Sequence, residues 1–119
     1  MFFNSIPEIK PKEFAALLKS ENDVTILDIR ETWEIDQVHI PNEKILALPM
    51  SILGQKQLEA LPKELTVNKE AQIIVLCHHG SRSASVTMWL IRNGWKNTKS
   101  LAGGIDAYAS EVDPGIGFY

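Results

Sequence analysis

The sequence predicts an α/β fold, with a central, mostly parallel β-sheet and helices packed on both of its faces. Three observations predict it. Short apolar runs rich in β-branched residues alternate along the chain with amphipathic helical stretches. The strongest such run, Gln72–Leu76, is followed after a short glycine-containing turn by the strongest helical pattern, Ser83–Asn93. Apolar residues make up 45% of the chain and charged residues 23%, a balance that supports a buried core. The 119 residues suit one domain, expected to run over 1–119.

Each element follows in order. Pro11–Lys19 (PKEFAALLK) reads as a helix, with Pro11 at its first position and Phe14, Leu17 and Leu18 as its apolar stripe. Val24–Ile29 (VTILDI) reads as a buried strand because it is short, β-branched and mostly apolar. Glu31–Val38 gives one or two helical turns that stop before Pro41. Ile45–Leu48 is a weaker strand, and Gln55–Leu61 a short helix ended by Pro62. Gln72–Leu76 (QIIVL) is a buried strand. In Ser83–Asn93, Ala84, Met88 and Ile91 share a face, flanked by Val86 and Leu90, and Gly94 stands where a left-handed cap is expected. Thr98–Leu101 makes a last strand and Gly104–Ala109 a last short helix. Asp113–Tyr119, with Pro114, Gly115 and Gly117, reads as irregular.

Composition narrows the function. The net charge is −3 and no dense Lys/Arg block occurs, so a nucleic-acid partner is not expected. No apolar run approaches the roughly 18 residues of a membrane span, so no membrane partner is expected either. Met1–Ser5 is too short and lacks the basic lead of a signal peptide, so the expected location is the cytoplasm. The lone cysteine, Cys77, rules out an internal disulfide and a thiolate-rich zinc site.

Ligands of parallel α/β sheets bind beyond the carboxyl ends of the strands. Two such places stand out, after Leu27-Asp28 and after Leu76-Cys77. The segment Cys77-His78-His79-Gly80-Ser81-Arg82-Ser83 joins the best strand to the best helix, and Gly80 gives the backbone freedom to turn. Successive N–H groups in such a turn converge into an anion cradle. The helix macrodipole and the Arg82 charge add to it, and all three favour thiolate over thiol at Cys77.

This loop resembles that of the rhodanese homology family. Three further segments strengthen the resemblance: Leu27-Asp28-Ile29-Arg30-Glu31-Thr32-Trp33-Glu34, His39-Ile40-Pro41, and Leu101-Ala102-Gly103-Gly104-Ile105-Asp106-Ala107-Tyr108. They occur in the family's order and span nearly the whole chain. The chain departs from the family at Val38 and Asn42, where glycine is usual, and at Tyr108, where the closing motif usually has Trp.

The resemblance implies a rhodanese-like sheet of about five strands and a sulfurtransferase in which Cys77 carries sulfur as a persulfide. The outer sulfur would rest on the amides of His78, His79, Gly80, Ser81 and Arg82. A small anionic donor such as thiosulfate suits a positive cradle. With no second thiol in the chain, the acceptor is an external thiol, free or on a partner protein, or cyanide. No cofactor and no metal are expected.

Three other readings stand beside this one. A cysteine phosphatase of related fold has five residues between Cys and Arg, whereas four intervene here, giving a smaller cradle. A non-catalytic binding module would not need the cysteine that this chain keeps. A metal at Cys77-His78-His79 would need three adjacent side chains to converge.

Residue by residue, Cys77 is the expected nucleophile and Arg82 the expected anion stabiliser. His78 and His79 are expected at the rim. Ser81 and Ser83 are expected either to donate to the site or to serve the helix start. Asp28 and Arg30 are expected to form a structural ion pair near the crevice. Trp33 is expected in the core or as a pocket wall, and Met88, Trp89 and Trp95 in packing.

Overall fold

A computed structural model describes residues 6–119. Met1–Ser5, on which the signal-peptide argument rests, lie outside the described residues. Five strands form one parallel sheet in the order β1-β5-β4-β2-β3: β1 Glu8–Ile9, β2 Thr25–Asp28, β3 Ile45–Ala47, β4 Ile73–Leu76 and β5 Thr98–Leu101. Every pairing is parallel, with Thr25 opposite Ile73, Asp28 opposite Leu76 and Val75 opposite Ser100. The helices are α1 Pro11–Lys19, α2 Thr32–Gln37, α3 Met50–Lys56, α4 Lys63–Thr66, α5 Ser81–Arg92 and α6 Gly104–Glu111.

Because side chains alternate along a strand, the sheet feeds two cores. Leu27, Ile29, Ile73, Val75 and Cys77 pack on one face with Leu53, Leu65, Val86, Leu90 and Trp95. Ile26, Ile74, Leu76 and Leu101 pack on the other with Phe14, Leu18, Ile105 and Tyr108. Tyr108, where Trp is usual, is buried and meets the Phe14 ring edge-on at 5.9 Å.

Three expectations are corrected, and one strand, β1, is added. The helix expected over Gln55–Leu61 starts five residues earlier, behind Pro49, and ends at Lys56, because Gln57 takes φ +54°. A 3₁₀ turn, 57–60, and α4, which starts behind Pro62, follow it. The edge strand β1 is too short to leave a periodic signal, and is fixed instead by hydrogen bonds from Ser100 and Ala102 to Pro7 and Ile9. Helix α5 begins at Ser81, two residues before the expected start, so Arg82 and Ser83 belong to its first turn. The tail expected to be irregular has a 3₁₀ turn, Pro114–Ile116, and returns Tyr119 to the mouth of the loop.

Candidate active site

Cys77 follows β4 directly and points to the same face as Ile73 and Val75, beneath the first turn of α5. It is 1% exposed. The turn above it depends on Gly80, which stands at φ +106° as the N-cap of α5. A β-carbon there would lie 3.3 Å from the Gly103 nitrogen, so the site needs glycine for space as well as for backbone angle.

Helix α6 holds the loop from the other side. Ile105 N–H donates to the Cys77 carbonyl at 2.9 Å and Asp106 N–H to the His78 carbonyl at 3.1 Å. In a trans peptide the C=O and the next N–H point in opposite directions. Pinning those two carbonyls therefore turns the N–H groups of His78 and His79 away from α6. Gly104 makes the close approach possible: a β-carbon on it would overlap the His78 carbonyl and lie 2.6 Å from the Cys77 oxygen.

Two main-chain donors reach the sulfur. Gly80 N–H is 3.1 Å and Ser83 N–H 3.2 Å from Cys77 Sγ. The Ser83 hydroxyl oxygen lies 3.3 Å from the same atom. The N–H groups of Ser81 and Arg82, in a first turn that offers no intrahelical acceptor, have no protein partner among the described residues. The N–H groups of His78 and His79 likewise have no partner among the described residues.

The expected free charge of Arg82 is tied down. Its Nη1 and Nη2 donate to Glu34 Oε1 and Oε2 at 2.6 and 2.8 Å. This fork holds the Glu34 carboxyl far down, to about 2, and holds the Arg82 guanidinium above its ordinary value. Tyr119 Oη also donates to Glu34 Oε2, at 2.8 Å, and Glu31 N–H to Oε1, at 3.0 Å. Beside them, the fully buried Arg30 donates to both oxygens of Asp28, with Nη2 2.7 Å from Oδ2. Its Nη1 continues to the Glu34 carbonyl and to Tyr119 Oη. Asp28 and Arg30 thus brace the α2 side of the site and have no hydrogen bond to the sulfur.

The two histidines differ. His79 is exposed, while the His78 ring lies between His79 at 3.8 Å and Tyr119 at 3.9 Å, both stacked. Burial first, and neighbouring His79 second, push His78 below its ordinary value, and its Nε2 is buried without a partner among the described residues. Ser81 is exposed, and its carbonyl accepts from Ser85 Oγ at 3.4 Å. Trp33 is neither core nor pocket wall: it is 64% exposed and touches Tyr119 edge-on at 6.4 Å.

The structure therefore brings Cys77, Gly80 and Ser83 together, turns the Arg82 side chain to Glu34, and leaves the side chains of Ser81 and His79 exposed. Sequence reasoning missed Glu34, Ser100 and Tyr119. Glu34 carried one faint signal, since Glu31 and Glu34 have the spacing of a capping box. Ser100 carried no signal beyond its place in the expected last strand, Thr98–Leu101.

The family model for the rhodanese-like domain matches residues 10–111. A rhodanese-like/PpiC domain-containing protein of Arabidopsis thaliana is 33% identical over 100 residues, covering 82% of this chain but only 31% of its own length. A sulfurtransferase of Allochromatium vinosum is 30% identical over 104 residues, covering 87% of this chain and 89% of its own. The crystal structure of a rhodanese-like domain protein from Staphylococcus aureus superposes with a TM-score of 0.71 at 26% identity, covering 95% of this chain and 98% of that one. The chain spans less than two-thirds of the length of several curated relatives it matches. With the parallel sheet, the loop after β4 and the match over 10–111 taken together, the chain belongs to the rhodanese-like domain family.

Proposed function

We propose that this protein is a sulfurtransferase that carries sulfane sulfur on Cys77. The observation that supports it is the pair of main-chain N–H groups, of Gly80 and Ser83, aimed at Cys77 Sγ from 3.1 and 3.2 Å. Such donors suit an anionic sulfur and cost no reorganisation when charge arrives.

In the loading step, the Cys77 thiolate attacks the outer sulfur of thiosulfate. The S–S bond of the donor breaks, sulfite leaves with the bonding electron pair, and Cys77 becomes a persulfide anion. The unpartnered N–H groups of Ser81 and Arg82 receive the outer, charged sulfur. In the unloading step, an external thiolate attacks that outer sulfur, leaves as a persulfide, and returns the thiolate to Cys77. Charge and electrons balance in both steps, and no second thiol of this chain takes part. The acceptor is a small thiol or a partner-protein thiol in a reducing cytoplasm.

Incubation with thiosulfate followed by intact mass measurement tests this. The wild type should gain the mass of one sulfur atom, cyanide should remove it, and Cys77→Ser should gain nothing. A wild type that takes up no sulfur, from thiosulfate or from a small-molecule persulfide, rejects the proposal in favour of a binding module. Hydrolysis of a phosphate ester in its place would favour the phosphatase reading.

A further inference from the structure

Ser100, on β5, has no place in the scheme above. Its hydroxyl is fully buried and lies 2.7 Å from Ser83 Oγ, its one hydrogen-bond neighbour among the described residues. Ser83 Oγ has two other neighbours, the Gly80 carbonyl at 3.2 Å and Cys77 Sγ at 3.3 Å.

Counting protons settles who donates to whom. A hydroxyl has one proton and two lone pairs. If Ser83 donated to Ser100, the Ser100 proton would be buried with no acceptor, which folded proteins rarely tolerate. Ser100 therefore donates to Ser83. One Ser83 lone pair is then occupied, and its own proton is left for Gly80 O or for the sulfur.

The two forms of the sulfur use this differently. A Cys77 thiol donates its S–H to the second Ser83 lone pair, and Ser83 donates to the Gly80 carbonyl. When the thiol proton leaves to bulk water, the sulfur has only lone pairs. The Ser83 hydroxyl then turns about its Cβ–Oγ bond and donates to Sγ. Ser83 and Ser100 keep their protons throughout, and no heavy atom has to move. The ionised sulfur gains a third donor beside the two N–H groups.

We infer that Ser100 is a positioning residue for Cys77: by donating to Ser83 Oγ it fixes and polarises the Ser83 hydroxyl, which then donates more strongly to the ionised sulfur. The inference rests on Cys77 acting as an ionised nucleophile, as in the proposed sulfur carrier. It adds a residue that never touches the reacting atoms and works through a neighbour.

The test is the rate of Cys77 alkylation by iodoacetamide across pH, for wild type, Ser100→Ala, Ser83→Ala and the double variant. Ser100→Ala should slow alkylation about two- to fourfold near pH 6, the strengthening lost from the Ser83–sulfur hydrogen bond. The rates should converge near pH 9.5, where a thiol of ordinary acidity is ionised in either protein. Ser100→Thr keeps the donor and should keep the wild-type profile. In the Ser83→Ala background, Ser100→Ala should change nothing further, since the path through Ser83 is already cut. A wild-type profile for Ser100→Ala overturns the inference, as does an undiminished effect without Ser83. Should Ser100→Ala fail to fold, Ser100→Cys, a poorer donor of similar size, is read at the Cys77 peptide instead. Alkylation needs no sulfur donor, so a wild type that takes up no sulfur defeats the proposed function and still leaves Ser100 decided.

Discussion

The Glu34 carboxylate accepts four hydrogen bonds, from Arg82 Nη1 and Nη2, Tyr119 Oη and Glu31 N–H, while the side chain is only 5% exposed. Arg82 is a third exposed, so water screens part of the attraction. Glu34→Gln keeps the shape and removes the charge, and should cost about 1–2 kcal/mol, below the cost of breaking a fully buried pair because Arg82 reaches water. That lowers the melting midpoint by roughly 4–8 °C in a domain of this size. The pH dependence has a definite sign. A carboxylate held from 4.5 down to about 2 contributes stability that is complete above 4.5 and is lost as pH falls towards 2. Thermal melts between pH 5 and 2.5 should show that loss in the wild type and a smaller one in Glu34→Gln. Equal slopes would mean that the ion pair contributes nothing to stability. At this scale the sequence was readable where covalent adjacency does the work: Cys77, Gly80 and Ser83 lie on one short loop. Glu34 meets Arg82 across 48 residues and Tyr119 meets Glu34 across 85, and no local pattern encodes contacts at such separations.

Among the elements, the junction of β5 and α6 carries most of the constraint on the loop. Gly104 stands at φ +65° against the Cys77 and His78 carbonyls. Gly104→Ala must distort one or the other, at about 3–5 kcal/mol for backbone strain and overlap together. The expected result is a much lower urea midpoint and loss of sulfur loading, because the carbonyls that orient the cradle lose their anchors. Gly54 is the contrast, since it sits exposed in α3 and a β-carbon there would meet nothing within 4 Å. Gly54→Ala should raise stability by about 0.5–1 kcal/mol through helix propensity, seen as a higher urea midpoint at unchanged slope. The two substitutions are chemically identical, so opposite outcomes would isolate the packing at α6. Strands β2 and β4 were legible within a residue or two because burial leaves β-branched runs, whereas β5, TKSL, was placed with Thr98 as its one β-branched residue. Helix α3 was misplaced because Pro49 and the left-handed Gln57 set its ends, and the hydrophobic periodicity near it gave no warning of either.

At the scale of the whole molecule, the all-parallel order β1-β5-β4-β2-β3 puts the carboxyl ends of β2, β4 and β5 side by side. Residues 28–34, 77–83 and 100–106 thereby share one rim, and the tail lays Tyr119 across it. That closure buries His78 between two rings. Asp106 and Glu34 draw a proton towards His78, and Arg82 and His79 oppose it, with burial the largest influence of all. His78 is held below its ordinary value of 6.5, so the unfolded chain takes up its proton first as pH drops. Stability should therefore be unaffected by His78 above about pH 7 and decline as pH falls below 6.5. Tyr119→Ala removes one wall of the stack, so His78 should titrate closer to 6.5 in that variant. Two-dimensional NMR of the imidazole nitrogens across pH measures both proteins directly. His78→Gln should flatten the decline in melting midpoint between pH 7 and 5.5, while His79→Gln, at an exposed ring, should leave most of it. Should His78 titrate identically with and without the Tyr119 ring, the tail would have no part in burying it, and the pH response would belong to the loop alone.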